Sequence, residues 1–138
     1  MAGPVDLVVE AHSSSIKGRY IISGEHFQLV ADGTKGTGGP GIAAGASDLL
    51  VAALLTCAIN IFRGATEPEL ETPRLVTIRA HLLRQEEDPS LGSLQVDVAI
   101  ANVDQAEADR LQDRYTSACR IYLALKDALR ISFTTHPA

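Results

Sequence analysis

The spacing of apolar residues changes along the chain, and each change predicts an element. In the first third, "VDLVVEAH", "RYIIS" and "HFQLVAD" are short runs rich in branched and aromatic residues. They are separated by "SSSIKG" and "SGE", where Ser and Gly favour turns, so the pattern predicts an antiparallel meander. "DGTKGTGGPGIAAG" then brings six glycines and a proline and predicts an irregular loop. It carries neither the Gly-Lys-Ser/Thr ending of a phosphate loop nor the spacing of a dinucleotide fingerprint.

From Ser47 to about Phe62 the pattern becomes apolar almost all round, with only Thr56 and Asn60 polar after Asp48. Such a run predicts a helix buried on most sides, with Ser47 as N-cap, Asp48 complementing the dipole of the first turn and Gly64 ending it. Strict alternation follows. Val76, Ile78, Ala80 and Leu82 alternate with Thr77, Arg79 and His81, and Leu94, Val96, Val98 and Ile100 with Gln95 and Asp97. With the turn-forming "QEEDPSLG" between them, these runs predict a long hairpin with one wet face. The helical period returns after Asp104: Ala108, Leu111, Tyr115, Cys119 and Tyr122 form one stripe, and Glu107 completes a capping box. "RISFTT" predicts a closing strand, and the whole order predicts an α+β domain with helices packed on antiparallel sheet.

Composition narrows the function classes. A chain of 138 residues with 46% hydrophobic and 21% charged residues fits a single folded domain spanning 1–138. Its formal charge of −5, with the few Lys and Arg scattered, argues against nucleic acid as a partner. The start, "MAGPVDLVVEAH", lacks the basic region of a signal peptide, and Leu49 to Ile59 is shorter than the about 20 apolar residues a bilayer requires. A cytoplasmic, reducing location without membrane association is expected. There, cysteines are free, catalytic or redox-active more often than permanent staples.

The chain has two cysteines, and both fall on inward faces of helical elements. Without a CxxC, they suggest neither a zinc ribbon nor a thioredoxin motif. Position alone fits two buried spacers as well as an oxidisable thiol with a resolving partner. His12, His26, His81 and His136 are dispersed, so a metal site is not expected. Tyr115 and Tyr122 share the Cys119 stripe and read as core.

Taken together, "KGRY", the "LVAD" strand before the glycine-rich loop, "SDLLVAALLTCAINIF", the hairpin and "ACRIYLALKDALRISF" resemble one family. It is that of the osmotically induced protein C and organic hydroperoxide resistance (OsmC/Ohr) proteins. The resemblance covers roughly Arg19 to Phe133 and is strongest in "DLLVAALLTC", an acid-leucine-leucine run ending in the first cysteine.

The resemblance implies an OsmC-like fold: antiparallel sheets around a long buried central helix, in an intertwined homodimer with active sites at the subunit interface. It implies a thiol-dependent peroxidase that reduces organic hydroperoxides, and in some members hydrogen peroxide, with no resident cofactor. The reductant would be an external dithiol such as a lipoyl protein. Carried over by position, Cys57 matches the peroxidatic cysteine, Cys119 the resolving one and Arg19 the activating arginine. Two positions depart from the pattern. Where the peroxide-specialised branch has a glutamate ten residues before the first cysteine, this chain has Ser47, with Asp48 the nearest acid, which points to the broader OsmC-like branch. Where the second cysteine is usually followed by proline, Arg120 follows here, so the helix need not break at Cys119. The alternative within the same fold is a non-enzymatic dimer that holds an apolar small molecule, its cysteines incidental.

Overall fold

The computed structural model describes residues 3–138; Met1 and Ala2, part of the N-terminal run considered above for a signal sequence, lie outside it. The chain divides into two compact units, 1–50 and 51–138. In the first, β1 (Val9–Ser13), β2 (Arg19–Gly24) and β3 (Gln28–Asp32) form the expected antiparallel meander in the order β1-β2-β3. The first strand begins at Val9 rather than Val5. Val9 pairs with Gly24, where β2 turns away, and residues 5–8 have no strand left to pair with.

The glycine-rich loop has a defined path. After a single 3₁₀ turn at Lys35–Thr37 the chain folds back, so that Gly33 donates to the Gly18 carbonyl at 2.7 Å and Asp32 to that of Ala44 at 3.0 Å. A side chain on Gly39 would run into the Gly33 backbone, which explains why glycine is needed there. Little of this sheet is covered within its unit: β1 is exposed along its whole length, and only Ala31 and Asp32 of the meander are buried.

Helix α1 (Ala46–Phe62) leads into the second unit. It starts one residue before Ser47, which therefore lies inside the first turn instead of capping it. Asp48 does the capping, its Oδ2 accepting the Gly45 N–H at 2.9 Å, the reach-back half of a capping box. At the other end Gly64 adopts φ 102°, with Gly64 N–H to the Ile61 carbonyl and Ala65 N–H to the Asn60 carbonyl, a Schellman closure.

The second unit continues through β4 (Val76–Leu83), β5 (Ser93–Ile100), α2 (Gln105–Ala118), α3 (Arg120–Leu125) and β6 (Arg130–Pro137). Strands β4 and β5 form the expected hairpin, Ile78 opposite Val98 and Arg79 opposite Asp97. Strand β6 pairs with β5 in parallel, which corrects the expectation of purely antiparallel sheets. The reason is the connection: α2 and α3 carry the chain back across the sheet, so the last strand runs in the direction of β5. Leu54, Ala58, Ile61 and Phe62 of α1, the inward residues of β5, and Leu111, Tyr115 and Cys119 form one core.

Burial of α1 on most sides is not what the chain provides. Its buried stripe is Leu54, Ala58, Ile61 and Phe62, while Ala52, Ala53, Thr56, Ile59 and Asn60 are exposed. Below that stripe a charged cluster fastens the end of α1 to α2. Glu67, 6% exposed, accepts from Arg74 at 2.6 and 3.0 Å and from Arg110 at 3.1 Å, and Arg110 in turn grips Glu107.

Candidate functional site

The two cysteines meet in the second unit. Cys57 lies midway along α1, partly buried, and Cys119 is buried at the junction of α2 and α3; both are free thiols. Although no proline follows it, Cys119 does break the helix. Its extended backbone (φ −72°, ψ 114°) makes it the C-cap of α2 and the N-cap of α3 at once, a break that the sequence, lacking the proline, did not require. The side chain supplies what proline would not. Cys119 Sγ accepts the Tyr122 N–H at 3.4 Å, acting as a soft N-cap.

The break also frees the Ile121 N–H, which acts on the sulfur of Cys57 and favours its ionised form. That effect is outweighed. Burial first, then the hydrogen-bonding and charge of the neighbouring Cys119 thiol, push Cys57 up to about 11. The second unit thus pairs the thiols but does not activate the first.

Beside Cys57 lies an open hollow of about 630 Å³, lined by Ala53, Thr56, Cys57, Ile59, Asn60, Arg63 and Ile121. Its walls combine aliphatic Ala53, Ile59 and Ile121 with polar Thr56, Asn60 and Arg63. A small molecule with an apolar body could reach the thiol there. Behind the thiols stands an aromatic cluster: Tyr115 packs at 5.1 Å, edge-on, against Phe133 and at 5.6 Å against both Phe62 and Tyr122. Tyr115 is fully buried, as a core residue should be, but its hydroxyl has no hydrogen-bond partner among the described residues.

Arg19 and Asp48 belong to the first unit. Arg19 opens β2 directly opposite Asp32 and clasps it with both arms of the guanidinium, Nε to Oδ1 at 2.8 Å and Nη2 to Oδ2 at 2.9 Å. Asp32 also accepts the N–H groups of Ile42 (3.1 Å) and Ala43 (2.8 Å), so this carboxylate both orients the arginine and pins the glycine-rich loop. Four donors, the guanidinium foremost, hold it ionised well below the usual carboxylate range. Asp48 is exposed, and its structural partner is the Gly45 N–H.

Sequence reasoning missed Asp32. Its signal was an acid closing "LVAD", but only strand register puts it opposite Arg19. The Ile121 N–H was unreadable in principle, since a backbone donor appears only where a helix breaks. Among the described residues no three of His, Cys, Asp and Glu gather to hold a metal ion, and no helix is long and apolar enough to cross a membrane.

No protein-family model matches the chain, and no curated protein matches it in sequence. Solved structures do. The OsmC-like protein from Mycoplasma pneumoniae superposes with a TM-score of 0.74 at 15% identity, over 97% of this chain and 98% of that one. The organic hydroperoxide resistance protein from Elizabethkingia anophelis gives 0.73 at 16% identity over 100% of both chains. OhrB of Bacillus subtilis gives 0.65 at 14% identity, over 97% of this chain and 98% of that one. At full length, and despite low identity, the chain has the α+β fold of the OsmC/Ohr proteins.

Proposed function

We propose that the protein is a cysteine-based peroxidase that reduces organic hydroperoxides. The observation that carries this reading is the pairing of Cys57 with Cys119 at a helix break beside an open hollow partly lined by Ala53, Ile59 and Ile121. Two inert spacers require neither a shared contact nor access. In the proposed cycle the Cys57 thiolate attacks the distal peroxide oxygen, the O–O bond breaks, and the alkoxide takes a proton and leaves as the alcohol. Cys57 becomes a sulfenic acid. The Cys119 sulfur then attacks Cys57 Sγ, hydroxide leaves and takes up the Cys119 proton as water, and a disulfide remains. An external dithiol, such as a lipoyl protein, returns two electrons and two protons by exchange.

Activation is assigned to Arg19. A thiol held near 11 requires a nearby positive charge to react at neutral pH, and a guanidinium kept in a fixed orientation by Asp32 is suited to supply it. Asp48 is assigned the acidic position near the helix start, where its capping of Gly45 orders the entry to α1.

Homodimerisation belongs to the same reading. An apolar helix face with Ile59 40% exposed, and a meander whose first strand is wholly exposed, leave more apolar surface than a lone chain of this size keeps in water. A cytoplasmic setting would keep both thiols reduced between turnovers.

A second reading, a non-enzymatic binder of an apolar small molecule, is favoured by one observation: the raised Cys57 pKa is that of a resting thiol. Peroxide consumption with a dithiol reductant separates the two. The peroxidase reading expects turnover in wild type and none in Cys57→Ser; equal consumption by both would overturn it.

A further inference from the structure

Contacts between the α1 end of the second unit and α2 keep a constant antiparallel register. Glu67, just beyond α1, accepts from Arg110 at 3.1 Å, and the Thr66 carbonyl accepts from Arg114 at 2.8 Å. Five residues back from Glu67, Phe62 packs its ring at 5.6 Å against Tyr115, which lies five residues on from Arg110. A further step of five reaches Cys57 on one side and the junction of Cys119 and Arg120 on the other. The two elements therefore meet in three layers, charged, aromatic and sulfur, and both thiols pack in the one core. Only the first layer is directional. Rings and aliphatic side chains tolerate a slide or a tilt, whereas charge-assisted hydrogen bonds fix position.

We propose that the Glu67 cluster is a positioning device for the thiol pair: by fixing α2 against the end of α1, it holds Cys119 within reach of Cys57 for the resolving step. This deepens the peroxidase reading and rests on it for the identity of that step. Glu67 is 6% exposed and is met by three arginines, Arg74 at 2.6 and 3.0 Å, Arg110 at 3.1 Å and Arg114 at 3.8 Å. Stability alone does not call for such a cluster, because well-packed apolar residues hold two helices at least as firmly; fixing register is the best-attested use of a buried ion group. The arginines divide the task. Arg74 also donates to the Phe62 carbonyl at 3.4 Å, so it ties Glu67 to the end of α1 itself. Arg110 and Arg114 reach across from α2, and Glu107 holds the Arg110 guanidinium at 2.8 and 2.7 Å. Cys119 is the C-cap of that same helix, so its place follows from where α2 is held. In the resolving step the S–S bond forms as the S–O bond of oxidised Cys57 breaks, and the departing hydroxide takes the Cys119 proton as water. The cluster exchanges neither proton nor electron.

The test reads the thiol pair without peroxide. Reduced protein is equilibrated with glutathione and glutathione disulfide at a series of ratios, and the fraction carrying a Cys57–Cys119 disulfide is measured by alkylation. Each glutathione disulfide takes two electrons and two protons from the two thiols and leaves as two glutathiones. Arg110→Ala/Arg114→Ala cuts the link from α2 while Glu67 stays paired with Arg74, and it covers the case in which Glu67→Gln does not fold. The proposal expects the effective concentration of the pair to fall about tenfold in both proteins, a rise of about 30 mV in reduction potential. Arg110→Lys, which keeps the charge, should lose much less. A role in stability alone would lower the reduced and oxidised folded forms alike and leave the potential in place. An unchanged potential in Arg110→Ala/Arg114→Ala overturns the proposal, as does a wild type that forms no such disulfide at any ratio. A wild type that forms the disulfide but consumes no peroxide strikes the peroxidase reading alone.

Discussion

Cys57 and Cys119, on different helices and far apart in sequence, are side-chain neighbours, and the second thiol raises the pKa of the first. Burial is the larger cause, with Cys119 next. Cys119→Ala should therefore move Cys57 alkylation to lower pH, since it removes the neighbour but keeps the burial. The measurement is alkylation rate against pH in the reduced proteins; a shift to higher pH would contradict the contact.

Arg19 makes the opposite prediction. If its guanidinium supplies the missing charge in the assembled protein, Cys57 ionises more readily in wild type than in Arg19→Ala. Alkylation and peroxide reduction then slow most near neutral pH, and raising the pH recovers the alkylation. Arg19→Lys should rescue only partly, because an ammonium lacks the planar fork that Asp32 holds at 2.8 and 2.9 Å. Coincident alkylation curves for wild type and Arg19→Ala would remove Arg19 from the site.

Stability in acid should depend on Glu67. Arg74 foremost, and then Arg110, lower its pKa from 4.5 to about 2 in the folded protein. A depressed folded pKa means its contribution is complete above the unfolded value near 4.5 and is lost as pH falls from there towards 2. Glu67→Gln should cost about 2–4 kcal/mol at pH 7 and flatten the acid limb of the stability curve. Urea unfolding at several pH values checks both.

Much of this architecture was legible because it is local. Period-two alternation placed β4 and β5, the Asp104–Glu107 pair placed the start of α2, and Gly64 placed the end of α1. Three features were not legible. The parallel pairing of β6 depends on where α2 and α3 deliver the chain, a long-range outcome that alternation in "RISFTT" does not encode. The Arg19–Asp32 clasp depends on strand register. The break at Cys119 lacks a breaker in sequence, because a thiol caps α3 where proline was the expected signal. The apolar pattern of α1 predicts a helix buried on most sides, yet Ile59 and its neighbours stay exposed in the single chain. Apolar periodicity reports that a surface is to be covered, not by which chain.

That exposed face leads to the expectation of a stable homodimer. Replacing Ile59, 40% exposed in the single chain, by Asp should weaken association while leaving the second unit's core intact. Sedimentation velocity at micromolar concentration checks it: a folded wild-type monomer would contradict the dimer, and with it an active site that requires one.

The central claim is that Cys57 and Cys119 work as a pair, and the most direct measurement is thiol mapping after one equivalent of an organic hydroperoxide is added to reduced protein. The account predicts loss of both free thiols and a peptide linking Cys57 to Cys119 within the same chain, absent from Cys57→Ser and replaced by a trappable sulfenic acid on Cys57 in Cys119→Ser. Two intact free thiols in the wild-type protein, with the peroxide unconsumed, would contradict it.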